Sequence, residues 1–342
     1  MKYNFCTLFD SYYLTRGMAL YDSLLQHCES FHLYIYSFDE ESYIKLKSLN
    51  LQHATIVPLV EFETKELLNV KESRTIAEYC WTCTASTIWH TFKHYKVDHC
   101  TYLDADMLFF SNPEPIFNEI GERAIAFTEH DFSSNLKASE IYGKYCVQFM
   151  YFKNTTIGLH ALDWWRLQCI EWCFAKLEIE RYADQKYLEF FEEKFGDVCI
   201  IKNIGCGVAP WNISNYKEVV GSENNFKLRI THKNGLNGEL IFYHFQGLKI
   251  IEKENVILSE ASVAPIKKVF LELIYKPYIH KVVFNKYQLL GERVNPKPIV
   301  FHRPLKVALS LFIKQQLKQF IWVRYLFYKI KRNRYSRPKN IE

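Results

Sequence analysis

The stretch TYLDADMLFF, Thr101–Phe110, places two aspartates, Asp104 and Asp106, one alanine apart inside an apolar run. Read as a strand, residues two apart point to the same side. Both carboxylates then face one spot with little water around it. Two like charges so placed are costly unless something positive sits between them. The turn signal Ser111-Asn112-Pro113 follows at once, so the pair belongs to the carboxyl end of its strand.

Upstream, strand and helix patterns alternate. Residues 2–9 (KYNFCTLF) read as a buried strand, closed by a turn at Asp10-Ser11. Leu14, Met18, Tyr21, Leu25 and Cys28 then recur at the spacing of an amphipathic helix. FHLYIYS (31–37) and ATIVPLV (54–60) are further strands, separated by the short helix of EESYIKLKSLN. A helix over roughly 75–95 leads into HCTYL, the strand that delivers Asp104. This alternation predicts a parallel sheet with helices on both faces, and ligands in such sheets sit beyond the carboxyl ends of the strands. Downstream, AIAFTEH, VQFMYFKN and LIFYHF read as strands. A Trp-rich helix is expected over roughly 157–177, and another from near Ala183. After about Ile257 the pattern turns to helices interrupted by Pro296 and Pro298. The expected organisation is a domain over 1–257 and a helical extension over 258–342.

The 342 residues are 49% hydrophobic, with 26 Phe and 23 Tyr, enough for a substantial core. That composition excludes disordered, collagenous and disulfide-scaffold classes. The ten cysteines show no framework spacing and read as free thiols in a reducing cytosol. MKYNFCTLFD does not read as a signal peptide, and no run of about 20 apolar residues suggests a spanning helix. The net charge of +5 is uneven, with +8 in residues 314–342 and −3 before them. That tail mixes Phe, Trp, Tyr and Leu with Lys and Arg. Its dense apolar content favours an anionic membrane surface over nucleic acid, so a peripheral location on the cytosolic face is expected.

Three chemistries use Asp-x-Asp after an apolar strand. One is a divalent cation, Mn²⁺ or Mg²⁺, on a nucleotide diphosphate. The second is a haloacid-dehalogenase-like phosphohydrolase, but Met107 and Leu108 stand where that chemistry prefers a small or hydroxylic residue and Gly. The third is a glycoside-hydrolysing carboxylate pair. The long apolar approach and the Leu-Phe-Phe that follows favour the cation.

Four stretches in order resemble GT-A-fold glycosyltransferases, particularly the glycosyltransferase family 8 type: FCTLFDSYYLTRGMALYDSL (5–24), YLDADMLFF (102–110), ADQKYL (183–188) and HFQGLK (244–249). The resemblance covers roughly residues 3–250. It implies an α/β GT-A fold with a mostly parallel sheet, and transfer from a nucleoside-diphosphate sugar, a UDP-sugar by preference, with retention; the basic-aromatic tail adds the expectation of a glycan or lipid-linked glycan acceptor. The resemblance implies Asp104, Asp106 and His244 as ligands of Mn²⁺ or Mg²⁺. Gly247 would let the backbone approach the phosphates, and Lys249 would neutralise the leaving diphosphate. Thr7, Asp10 and Tyr12 would grip the nucleoside, with Tyr12 stacking on the base. Asp184 and Gln185 would face the donor sugar. Arg74 is the nearest counterpart of the arginine usual before the metal strand. The chain departs from the family at Cys146-Val147-Gln148, where Asn-x-Gly is usual, and at Phe9. The first departure keeps a non-catalytic, membrane-associated nucleotide- or sugar-binding protein as the alternative.

Other signals are weaker. Cys80 and Cys83 form a lone CxxC and read as core-facing thiols. His90 and His94 have metal spacing but no HExxH glutamate, and read as a solvated helix face. Trp164, Trp165 and Trp172 read as core. His130 closes a strand expected beside the metal strand, and Trp211, in the Gly-rich loop 203–213, is either an acceptor platform or a buried anchor.

Overall fold

The computed structural model describes residues 2–221, 227–251, 255–259, 261, 266–293 and 298–302. The chain begins β1 (Tyr3–Phe9), α1 (Leu14–His27), β2 (Phe31–Ser37), α2 (Glu40–Ser48) and β3 (Ala54–Pro58). Short helices α3 (Leu59–Phe62) and α4 (Lys65–Lys71) precede α5 (Ile76–Tyr95) and β4 (His99–Leu103). Next come β5 (Met107–Phe109), α6 (Glu114–Ile120), β6 (Ile125–Glu129), β7 (Tyr145–Lys153), α7 (Thr156–Glu171), α8 (Phe191–Phe195) and β8 (Val198–Ile201).

Seven strands form one sheet in the order β3-β2-β1-β4-β7-β6-β8. Neighbours are parallel except that β7 runs against both β4 and β6. The link from β6 to β7 carries only a 3-10 stretch (Ser134–Tyr142), with no α-helix to build a crossover, so the chain turns back antiparallel. Strand β7 thereby separates β6 from β4, and His130 does not close a neighbour of the metal strand as expected. Successive strands step from β1 to β2 and β3 on one side, and β4 returns to the other side of β1. The crevice between the carboxyl ends of β1 and β4 is thus a topological switch point, the usual ligand position in such sheets.

Two apolar layers cover the sheet, because alternate side chains leave opposite faces. Cys100 and Tyr102 of β4 join Ile88 of α5 and Trp165 of α7. Phe5 and Phe9 of β1 join Leu20 of α1 and Phe117 of α6. Gly17 makes the second layer possible, since a Cβ there would lie 2.2 Å from the Phe9 ring. Helix α7 ends earlier than expected, with Trp172 extended after Glu171. Ala183 sits at φ +45°, so a 3-10 turn (Lys186–Phe190) replaces the helix expected from that point.

Beyond β8, β9 (Tyr216–Gly221), β10 (Leu228–His232) and β11 (Asn237–Glu239) form a separate antiparallel sheet. Strand β12 (Phe242–His244) pairs with β5, setting His244 opposite Met107. Strands β13 (Lys249–Ile250), β14 (Asn255–Ile257) and β15 (Val300–His302) make a third small sheet. A helical run follows β14: α9 (Lys268–Phe270), a π turn (Leu271–Tyr275) and α10 (Lys276–Leu290). Its Ile274, Tyr275, Tyr278 and Ile279 pack in one cluster with Tyr243 and Phe245. The basic-aromatic tail lies outside the described residues, among which no helix is long and apolar enough to cross a membrane.

Candidate active site

Strand β4 stops at Leu103, one residue short of the first aspartate. The Met107 N–H reaches the Asp104 carbonyl at 3.3 Å, so residues 104–107 form a turn rather than a strand. The two carboxylates therefore converge by turn geometry and not by strand alternation, which corrects the expectation above. The turn is pinned on both sides: the Asp104 N–H donates to the Gln148 carbonyl at 3.1 Å, and the Phe245 N–H donates to the Asp106 carbonyl at 2.9 Å.

That second bond, with the β5–β12 pairing, brings in His244. Its Nε2 lies 3.0 Å from Asp106 Oδ1 and 3.6 Å from Asp104 Oδ2. Its Nδ1 lies 2.9 Å from Gln148 Oε1. Gln148 is itself oriented by donating from Nε2 to Thr128 Oγ1 at 3.0 Å. Because an amide oxygen only accepts, Nδ1 carries a proton and Nε2 is the nitrogen offered to the carboxylates. Trp211, which sequence left as platform or anchor, is buried; it stands edge-on to His244 at 5.4 Å and donates to the His130 carbonyl at 2.8 Å.

The charges respond to this crowding. Burial opposes a charge on His244, but Asp106 first, and Cys146 and Asp104 with it, raise its pKa well above the ordinary value. Burial also pushes Asp106 up, and the His244 and Arg16 charges outweigh it, so this carboxyl is held below the usual range. Asp104 is pushed up, by burial first and then by its neighbour Asp106. Its Oδ1 accepts from the Tyr102 hydroxyl at 3.1 Å. Burial is opposed at Cys146 by His130 and His244, which bring that thiol down to about 7.

The donor set fits a hard divalent cation. Two carboxylates of one turn face an imidazole nitrogen whose other nitrogen is tethered by an amide oxygen, the outer-shell arrangement that orients metal-binding histidines. Among the described residues, these three included, no group of three or more His, Cys, Asp or Glu side chains is already arranged to hold a metal ion. Here the imidazole closes directly on Asp106, and a cation would take the place of the Nε2 proton.

The other expected residues divide into two groups. Asp184 is buried, its Oδ2 has no partner among the described residues, and its pKa is pushed up to about 8 by burial first and by Asp104 second. The strained Ala183 precedes it, and the Asp184 carbonyl accepts from Trp165 Nε1 at 2.8 Å. Gln185 donates to the Tyr142 carbonyl at 2.9 Å. Gly247 has φ +73°, and a Cβ there would come within 2.9 Å of Ser259 Oγ, so the turn after His244 needs glycine. Lys249 is exposed. In the β1–α1 loop Asp10 Oδ1 accepts from the Tyr13 N–H at 3.1 Å, and Tyr12 is 68% exposed.

Two residues stand elsewhere. Thr7 is wholly buried within β1, its hydroxyl without a partner among the described residues. Arg74 donates to the Ile170 carbonyl at 3.2 Å and lies 3.8 Å over the Phe174 ring. It closes the end of α7 instead of joining the aspartates. His90 also differs from expectation, since it turns inward to the Tyr36 hydroxyl at 3.0 Å.

Sequence reasoning missed Gln148 and Arg16. Gln148 stood inside the family departure and read only as a loss. Arg16 is a buried cation on α1 beside Asp106, and a charged residue on an otherwise apolar helix start was the available signal.

Compared with solved structures, the chain has the fold of the GT-A glycosyltransferases. It aligns with the galactosyltransferase LgtC, solved in complex with donor and acceptor sugar analogs, at a TM-score of 0.50 and 11% identity, over 86% of this chain and 98% of that one. No protein-family model matches. By sequence the chain belongs to the family of the uncharacterized Bacillus subtilis protein YfnD, being 33% identical over 282 residues, 81% of this chain and 88% of YfnD. Uncharacterized protein YfnF of the same organism is 29% identical over 255 residues, covering 72% of this chain and 82% of YfnF.

Proposed function

We propose that this protein is a metal-dependent glycosyltransferase that moves a sugar from a nucleoside-diphosphate sugar, a UDP-sugar by preference, to a glycan acceptor. The observation that carries the reading is the meeting of Asp104, Asp106 and His244 at the switch point, with His244 oriented by Gln148. A GT-A fold shared with a galactosyltransferase supports it.

A Mn²⁺ or Mg²⁺ ion bound here would supply Lewis-acid neutralisation of the diphosphate as the sugar–phosphate bond breaks. The rest of the work falls to the chain. Asp104 and Asp106 give the negative site, and His244 completes it. Tyr12 offers an exposed ring to the base, with the loop behind it held by Asp10. Gly247 brings backbone N–H groups close to phosphate oxygens, and Lys249 adds positive charge. Asp184, protonated at neutral pH, donates a hydrogen bond to a donor-sugar hydroxyl, and Gln185 is set beside it. The family resemblance implies retention. The dense basic-aromatic tail fits an acceptor anchored in a lipid surface, as in surface polysaccharide synthesis on the cytosolic side.

The test is turnover of a panel of nucleotide sugars with Mn²⁺, with and without EDTA. Donor-specific turnover that EDTA abolishes is expected, and Asp104→Asn should abolish it too while the protein stays folded. Full activity in EDTA would sink the proposal.

A further inference from the structure

Two buried polar groups near Asp106 have no part in the site formed by β4, β5 and β12. Arg16 on α1 is 8% exposed. Its guanidinium donates to the carbonyls of Tyr12 and Leu248, each at 3.3 Å, and lies 4.7 Å from the Tyr13 ring. A guanidinium has five N–H donors; these two bonds use two of them, and Asp106 is its charged neighbour. The second group is Tyr278 of α10, fully buried. Its ring stacks on Phe245 at 3.7 Å, and Phe245 is the residue whose N–H holds the Asp106 carbonyl. The Tyr278 hydroxyl has no hydrogen-bond partner among the described residues, and its charged neighbours are Asp106 and Arg16. A buried hydroxyl left unmet costs free energy that a ligand oxygen accepting its proton would recover.

A guanidinium bound to the Leu248 carbonyl and an unpartnered hydroxyl on the ring stacked against Phe245 therefore stand beside the acidic turn. We infer that Arg16 and Tyr278 form a phosphate subsite, binding oxygens of the diphosphate group of the ligand whose cation Asp104 and Asp106 hold. This rests on the proposed function for the identity of the ligand. The chemistry is that of charge-assisted hydrogen bonds to an anion, for which an arginine fork and a hydroxyl are suited. It also gives the helical run after β14 a role, because α10 then completes the site instead of merely covering it.

The experiment is calorimetric titration of the full chain with inorganic pyrophosphate and with UDP, each with Mn²⁺ and in EDTA, alongside thermal melting. Tyr278→Phe should bind both probes about tenfold more weakly, the scale of a lost hydrogen bond to a charged group. Its unliganded Tm should be unchanged or higher, because the hydroxyl removed has no partner to lose. Arg16→Lys, which keeps the charge but not the fork, should lose a comparable factor. The subsite is overturned if the wild type binds no pyrophosphate, or if Tyr278→Phe binds pyrophosphate as the wild type does. A wild type that binds pyrophosphate through these residues but turns over no nucleotide sugar upholds the subsite and removes the glycosyltransferase reading. One that turns over nucleotide sugar while both variants bind normally removes the subsite alone.

Discussion

Two buried histidines, each beside an aspartate, stand at opposite ends of β4. His99 opens the strand, and its Nδ1 meets Asp98 Oδ1 at 2.8 Å while Nε2 accepts the Asn4 N–H at 3.3 Å. One nitrogen donates and one accepts, so this ring is neutral. Burial holds its pKa below the ordinary value, against the pull of Asp98. At the other end His244 meets acceptors on both nitrogens and carries a second proton. The residue pairs look alike, but Asp98 is 79% exposed, whereas Asp104 and Asp106 are 24% and 11% exposed. Water screens the first carboxylate and does little for the other two. The amino end of the strand is a structural clasp, and the carboxyl end is a place where positive charge is wanted.

The largest expected break in this contrast is in turnover. Asp106→Asn should lower kcat/KM with Mn²⁺ by about 10³-fold or more, because it removes a proposed cation ligand and half the negative charge of the acidic turn. His99→Gln should stay within about twofold of wild type in the same assay, while losing about 1–3 kcal/mol in denaturant unfolding through the unmet Asn4 N–H. Equal losses of turnover would erase the distinction between the two ends.

Next comes the tether. Gln148→Leu should weaken Mn²⁺ binding by about 10–100-fold, as outer-shell changes do. Metal titration followed by calorimetry would show it, and unchanged affinity would mean that His244 holds its pose without help.

The pH dependence of the metal-free protein sharpens the contrast further. His99 has a folded pKa below its unfolded one, so its unfolded form binds more protons and stability rises with pH through the region near 6.5. His244 has a folded pKa raised above 6.5, so its contribution is full below that value and is lost as pH climbs toward the folded one. Asp184 behaves like His244: with a folded pKa of about 8 against 3.8, it takes stability away as pH rises between those values. Asp184→Asn should therefore flatten the fall in Tm from pH 5 to 8 in EDTA. An unaltered slope would show that this carboxyl is not protonated in the fold.

The smallest effect is at the rim. Tyr12→Ala, at an exposed loop position, should raise the donor KM about tenfold, the scale of one lost base–aromatic stack, with kcat and Tm unmoved. A fall in Tm would mean that the ring packs on Arg16 for stability rather than waiting for a base.

Much of this was legible before any coordinates. The alternation of strand and helix over the first hundred residues, with turn signals after Phe9 and Phe110, sufficed for the parallel half of the sheet. The apolar flanks of Asp104 and Asp106 marked their site. The reversed β7 was not legible, because a buried strand reads as the same apolar run in either direction. Neither was Gln148, whose meaning depends on a histidine 96 positions away. Arg74 was assigned by its place ahead of β4, and only packing revealed that the end of α7 claims it.

Sequence by itself determined that strand and helix alternate over the first hundred residues, and that two carboxylates sit where their charge needs company. These are local matters, set by side-chain period and turn chemistry within a few residues. Tertiary structure alone decided what keeps them company. His244 lies 138 residues from Asp106 and reaches it only because β12 pairs with β5. Electrostatic energy depends on distance and on burial, and neither is written in the spacing of residues so far apart.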